Sequence, residues 1–160
     1  MQRQSGFSLI ELLIVVAIIL VIAAMAIPNL LRSKMSANEA SAVSSMRTIA
    51  TAQTTYAISY PADGYADTLT KLAAPSGGGS VDSNHAGLLD WVLGCASQPC
   101  TKSGYQFSIV NTVGSPINAY EITAVPQMLG TTGRRGFCGN QVPIITYDPN
   151  GGTACTTEIQ

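Results

Sequence analysis

Charged side chains are scarce in this sequence. Asp, Glu, Lys and Arg make up 11% of the 160 residues, less than half of the fraction of about 25% that is usual in globular domains. The net charge is −1, and the Lys and Arg residues are scattered along the chain. Nucleic-acid-binding proteins usually carry a basic face. We therefore do not expect nucleic acid to be a main partner.

Histidine is almost missing, and so are the common enzyme motifs. The one histidine, His85, lies in a loop rich in glycine and serine. There is no G-x-S-x-G, no H-E-x-x-H and no phosphate-binding glycine loop. The acids of the C-terminal part do not form a calcium-binding loop, because they are isolated from one another: Asp63, Asp67, Asp82, Asp90 and Asp148. We predict no enzyme activity, no catalytic residues, no metal and no cofactor.

Cysteine is absent from the first 94 residues, and four cysteines follow at positions 95, 100, 138 and 155. An even number in a small domain favours disulfides and an oxidising compartment. Zinc is the alternative, but the C-x4-C and C-x16-C spacings fit the usual zinc motifs poorly. Four cysteines allow three pairings. Sequence proximity favours Cys95 with Cys100 and Cys138 with Cys155.

Charge is also missing from the long apolar run over residues 7–27, in which Glu11 is the single exception. From Leu12 to Ile27 there is not even a hydroxyl group. A helix of these 21 residues would be about 31 Å long, which matches the hydrocarbon thickness of a bilayer. We predict a transmembrane helix over residues 7–27, preceded by a polar leader over residues 1–6.

This apolar helix is expected to stay in the mature protein. A secretory signal would have a small-residue cleavage site after its apolar stretch, but Ile27 is followed by Pro28 and Asn29. The cations Arg32 and Lys34 would place the following part in the cytoplasm by the positive-inside rule. Disulfides require the opposite topology. We give the cysteines more weight and expect the C-terminal part to lie outside the cytoplasm.

Residues 28–60 are predicted to continue as an amphipathic helix. Pro28 removes the hydrogen bond to the carbonyl of Ala24, so we expect a kink there. Pro61 ends the helix. Apolar residues at gaps of 3, 4 or 7 mark one face: Leu31, Met35, Ala42, Met46, Ile49 and Tyr56. The other faces are predicted to carry Arg32, Lys34, Asn38, Glu39, Ser45 and Arg47.

Residues 61–160 are predicted to form a globular head. A short helix pattern covers residues 85–94, and strand patterns follow at residues 105–110, 119–125 and 142–147. Strands at this spacing with tight turns favour an antiparallel sheet. The amphipathic face of the long helix is its natural cover. The fold class is therefore α+β, with a long N-terminal helix packed on a small sheet.

Glu11 needs a reason to be charged. Ser8 and Glu11 have the spacing of a capping box, in which both side chains satisfy free amides at a helix start. A neutral glutamine would cap equally well, and a charge in apolar surroundings needs a cationic partner. No Lys or Arg lies between Phe7 and Leu31. A new chain amine would arise nearby if the leader were cut after Gly6.

The stretch from Gly6 to Leu12 resembles the processing motif of type IV pilins and of the pseudopilins of type II secretion. The resemblance implies a type IV pilin fold, cleavage between Gly6 and Phe7 by a prepilin peptidase, and N-methylation of Phe7. It also implies a role for Glu11 in assembly. The six-residue leader is similar to that of the type IVa subclass, and Pro28 lies where these helices commonly carry proline. Beyond residue 60 the resemblance is architectural, with a sheet on the long helix and a cysteine pair near the C-terminus.

On this resemblance the chain is expected to be a structural subunit of a type IV pilus that serves adhesion, motility or a related surface function. Its expected partners are copies of itself, the prepilin peptidase and methyltransferase, and the assembly machinery. Before assembly it would be a single-pass inner-membrane protein with a cytoplasmic N-terminus and a periplasmic head. After assembly it would lie in an extracellular fibre. A secretion pseudopilin and a membrane-anchored binding module that does not polymerise are the alternatives.

Overall fold

The computed structural model describes residues 8–75, 77–142 and 144–159. The predicted cleavage site between Gly6 and Phe7 lies outside them. Contacts divide the chain into two compact units, Met1–Lys34 and Met35–Gln160, and each unit is described by itself. The helices and strands are α1 Leu9–Ser59, α2 Leu69–Leu72, β1 Cys100–Lys102, β2 Tyr105–Gly114, β3 Ile117–Pro126, β4 Gly136–Asn140, β5 Ile145–Asp148 and β6 Thr157–Glu158.

Within the first unit, α1 is apolar on every face from Leu12 to Ile27. Pro28 lies inside the helix, and the side-chain amide of Asn29 donates a hydrogen bond from Nδ2 to the backbone carbonyl of Met25 at 3.1 Å. The helix ends at Ser59, two residues before Pro61, as the residue before a proline avoids helical geometry. The predicted kink at Pro28 stays a prediction.

The second unit contains an antiparallel sheet of six strands in the order β1-β2-β3-β4-β5-β6. The longest pairing joins β2 to β3, with Phe107 opposite Ala124 and Ile109 opposite Ile122. Each strand pairs with the next along the chain, so short connections suffice. The predicted α+β class, a long helix with an antiparallel sheet, is confirmed.

The core lies between α1 and one face of the sheet. Alternation along β2 buries Tyr105, Phe107 and Ile109, because successive side chains of a strand point to opposite faces. From the predicted apolar face of α1, Ala42, Met46, Ile49 and Tyr56 are buried, whereas Leu31 is exposed.

Two residues assigned to the polar faces of α1 are in fact buried. Glu39 and Ser45 are 8% and 4% exposed, so their predicted placement was wrong. On the predicted apolar face, Met35 and Ala42 are seven residues apart, and Glu39 lies on the same face between them. Gln53 lies in the same way between Ile49 and Tyr56. The buried stripe of α1 is therefore continuous, with polar side chains at two of its positions.

The helix predicted over residues 85–94 was also wrong. This segment forms turns and an isolated bridge from Leu89 to Ala73. The amides of Leu88 and Leu89 donate to the carbonyl of Leu72, and Gly87 has a φ of +69°, which a right-handed helix does not allow. The local helix is replaced by pairing with the chain around α2.

Gln53 joins α1 to the loop that follows it. Its side-chain amide donates to the carbonyl of Ala66 at 2.8 Å and accepts from the amide of Ala66 at 2.8 Å. Both polar ends of a fully buried side chain are satisfied in this way, as burial requires.

Candidate functional site

The candidate site begins with the exposed apolar segment of α1. This helix is long and apolar enough to cross a membrane, and none of its most apolar stretch is buried. Exposed large apolar side chains run from Leu9 to Leu31. A helix that is apolar all round needs an apolar environment.

Glu11 lies at the first turn of this segment. Its Oε2 accepts a hydrogen bond from the backbone N–H of Ser8 at 2.9 Å, which is the glutamate half of the predicted capping box. The carbonyl of Ser8 accepts from the amide of Leu12 at 3.2 Å, so Ser8 is the residue before the first turn. A carboxylate in the first turn is also stabilised by the helix dipole.

The cap uses one carboxylate oxygen of Glu11. Within the described residues, the other oxygen has no hydrogen-bond partner and no cation lies within 4.0 Å. Glu11 is exposed, so the carboxylate can accept a further donor from another molecule. The arrangement can therefore cap its own helix and bind an ammonium group at the same time.

A second polar site, in the second unit, holds Glu39. Its Oε2 lies 2.7 Å from Nη2 and 2.8 Å from Nε of Arg135. Its Oε1 accepts the backbone N–H of Arg134 at 2.9 Å and that of Arg135 at 3.3 Å. The guanidinium of Arg135 also lies over the rings of Phe137 and Tyr147, at 5.6 and 5.1 Å. We call this set the Glu39 clamp, because it fixes α1 to the loop before β4.

Tyr105 completes the surroundings of the clamp. Its hydroxyl donates to the carbonyl of Arg135 at 2.8 Å. Burial raises the pKa of Tyr105, and the nearby charge of Glu39 raises it further. The phenol therefore stays protonated and remains a donor. Sequence reasoning missed this clamp, although the seven-residue gap in the apolar face of α1 was a signal for Glu39.

The four predicted cysteines are all paired in disulfides. Cys95 pairs with Cys100 and Cys138 pairs with Cys155, the pairing that sequence proximity favours. Both disulfides lie in the second unit. Within the described ranges no three His, Cys, Asp or Glu side chains are grouped as metal ligands, and His85 lies in a turn whose backbone pairs with Asp82.

Comparison with known proteins gives two matches to the N-terminal part. A family model described as the prokaryotic N-terminal methylation motif matches residues 1–27. Over 39 residues the chain is 56% identical to the Type IV wide pilus major component PilA4 of Thermus thermophilus. That alignment covers 24% of this chain and 30% of the relative, so it spans less than a third of the relative's length. No solved structure matches. The resemblance to type IV pilins is confirmed over the N-terminal region.

Proposed function

We propose that this chain is a structural subunit of a type IV pilus. The observation that carries the proposal is the exposed apolar part of α1, headed by Glu11 and matched by the methylation motif over residues 1–27. On this proposal the leader is removed between Gly6 and Phe7 by a prepilin peptidase, the new amine is methylated, and the helix polymerises with other copies. The chain acts as a building unit and catalyses no reaction.

The same helix serves two environments in turn. Before assembly it spans the inner membrane with its N-terminus in the cytoplasm, and the head, residues 61–160, folds and forms its disulfides in the periplasm. In the fibre, apolar contact with other copies replaces contact with lipid. Because burial of apolar surface is non-directional, it supplies adhesion between helices without fixing their register.

Glu11 supplies the register. In a bundle of helices without water, an unpaired carboxylate is costly, and the amine of Phe7 from a neighbouring subunit can neutralise it. The free carboxylate oxygen of Glu11 makes this pairing compatible with the cap on Ser8. Only a neighbour's amine turns the pairing into a force that adds subunits at a fixed stagger.

A secretion pseudopilin is the second candidate, since it would use the same helix and the same processing. The identity to a major pilus component favours the pilus. Adhesion and motility are the surface functions that such a fibre would serve.

Electron microscopy of fibres sheared from cells, with mass spectrometry of their subunits, tests the proposal. We expect long surface fibres that contain this chain. The intact mass of the subunit should equal that of a chain that begins at Phe7 and carries one methyl group. Fibres that lack this chain would contradict the proposal that it is a pilus subunit. Assembled protein that still begins at Met1 would contradict both proposed functions, the pilus subunit and the pseudopilin.

A further inference from the structure

A groove on the second unit opens between α1 and the sheet. It has a volume of about 280 Å³ and a floor of the buried side chains of Met46, Tyr120 and Ile122. Gly139 on β4 keeps it open, because a Cβ at this position would lie 3.3 Å from Cε of Met46. We call this the Arg47 groove, after the cation on its wall.

The rim of the Arg47 groove combines apolar and cationic groups. Val142 and Ile144 are both exposed on one side, and Arg47 is exposed on the other. Among the residues that the structure describes, no carboxylate lies within 4.0 Å of the Arg47 guanidinium. The groove therefore fits an apolar side chain with a carboxylate directly beside it.

A fibre made by repeating one contact needs two different surfaces on each subunit. Such heterologous contacts do not close on themselves, and they generate open helical assemblies. Resting on the proposed function, the Arg47 groove would be one of the two surfaces. The complementary surface should then be an exposed apolar residue next to an unpaired acid.

The second unit offers one such pair in the part that is described. Val81 is 62% exposed, and the neighbouring Asp82 is exposed and forms no ion pair there. Trp91 also adjoins an acid, but that acid, Asp90, already lies 3.6 Å from Lys102.

The turn that carries Val81 and Asp82 is held in place. One carboxylate oxygen of Asp82 accepts the amides of Asn84 and His85 at 2.8 and 2.9 Å, and the other has no hydrogen-bond partner among the described residues. The hydroxyl of Tyr56 donates to the carbonyl of Ser83 at 2.6 Å. A surface that is already ordered loses little entropy on binding.

Among the described residues, Arg47 and Asp82 of one subunit do not form an ion pair with each other. Tyr56, which anchors the turn, follows Arg47 by nine residues on α1, a separation of about 13 Å along the helix axis. We propose that the Arg47 groove receives Val81 from a second copy of the chain, with Asp82 of that copy paired to Arg47. This contact joins the subunits of the fibre outside the apolar helix bundle.

Charge reversal tests the contact with the full-length chain in cells that assemble it. Arg47→Glu and Asp82→Arg each place like charges opposite one another, and each alone should lower the fibre yield about tenfold or more. The double variant restores opposite charges and should recover the yield. Glu158→Arg, which reverses another exposed acid, is the matched control and should assemble normally.

Co-expression of the two single variants separates contact between copies from a folding defect. In a mixed fibre each groove can face a turn of opposite charge, so the two defective chains should assemble together in alternation. Equal amounts of each variant in the membrane fraction show that folding is intact.

The outcomes distinguish this contact from the proposed function. The proposed contact is wrong if either single variant assembles normally, or if both the double variant and the mixture fail to assemble. In either case, wild-type fibres that contain the chain still support the proposal of a pilus subunit. Absence of wild-type fibres overturns the pilus and the contact together.

Discussion

Glu39 on α1 and Arg135 before β4 form an ion pair across 96 residues of sequence, with 2.7 Å between Oε2 and Nη2. The carboxylate is almost fully buried, whereas the Arg135 side chain is 42% exposed. Each oxygen of Glu39 also has a definite role, since Oε1 accepts two backbone amides. The pair therefore fixes the position of the helix relative to the loop between β3 and β4.

Glu39→Gln should lower the free energy of unfolding by about 2 kcal/mol, because it removes the charge from a buried pair whose partner is only partly screened by water. Urea unfolding of the full chain, followed by the fluorescence of Trp91, measures the change. Glu158→Gln removes an exposed acid with no ion pair in the described residues and should change the unfolding free energy by less than about 0.5 kcal/mol. Equal losses in the two variants would contradict this account of the clamp.

Glu11→Gln should keep cleavage, membrane insertion and the folding of the head, yet greatly reduce fibre assembly. Glutamine can cap Ser8, but it cannot pair with an ammonium group. Glu11→Asp, shorter by one methylene, should give an intermediate yield. Quantitative immunoblotting of sheared fibres and membranes measures both effects. Abundant fibres of normal stagger from the glutamine variant would mean that Glu11 is only a cap.

The two disulfides should contribute unequally to stability. Cys138–Cys155 closes a loop with a sequence separation of 17, and Cys95–Cys100 one of 5. By loop-closure entropy, replacing the first pair with serine should cost about 3 kcal/mol and replacing the second about 2 kcal/mol. Thermal unfolding of the two double variants gives the ranking. Peptide mapping without reduction checks the pairing, which a peptide linking Cys100 to Cys138 would refute.

Alkaline pH should destabilise the second unit through Tyr56. Burial raises its pKa from 10.0 to about 12, with smaller effects from Asp63 and Asp67. Between these two values the unfolded chain releases the phenolic proton while the folded chain retains it, so stability falls as pH rises from 10 to 12. Tyr56→Phe should lose the bond to Ser83, at about 1 kcal/mol, and should reduce the slope of this pH dependence, to which the raised pKa of Tyr105 also contributes. Unfolding measured across that range is the check, and an unchanged slope would contradict the prediction.

Two glycines of β4 should respond differently to alanine. A Cβ at Gly136 would collide with the carbonyl oxygen of Gly152, whereas a Cβ at Gly139 would lie 3.3 Å from the side-chain end of Met46 and in ordinary contact with Ile145 at 4.0 Å. Gly136→Ala should cost about 3 kcal/mol, and Gly139→Ala less than about 1 kcal/mol. Thermal unfolding compares them directly. Equal costs would mean that the backbone around Gly152 yields as easily as a methionine side chain.

The elements that sequence alone predicted are those with a strong local signal. The end of α1 before Pro61 and the strands around residues 105–110 and 119–125 follow from proline geometry and from alternation. The strand β4 was missed, since its sequence GFCGN contains two glycines and no β-branched residue. β1 and β6 have only three and two residues, too few to show a period.

Two of the errors share one physical cause, which is contact between residues far apart in sequence. Glu39 looked like a solvent-exposed acid because its partner Arg135 lies on another element. The segment around Leu88 and Leu89 has a helical pattern, but its backbone amides donate to the carbonyl of Leu72, which the local sequence does not indicate. By contrast, the motif from Gly6 to Leu12 is local, and the candidate site at Glu11 could be predicted from a few residues.

The buried stripe of α1 also has a mechanical consequence. The Glu39 clamp holds one end of the part of α1 that packs on the sheet, and the two hydrogen bonds between Gln53 and Ala66 hold the other. Apolar contacts between these points resist separation but allow sliding, since they have no direction. A pull along the helix axis must therefore break these polar attachments together with the hydrogen bonds from Asn38, Ser41 and Tyr56, so the sheet moves with the helix under load.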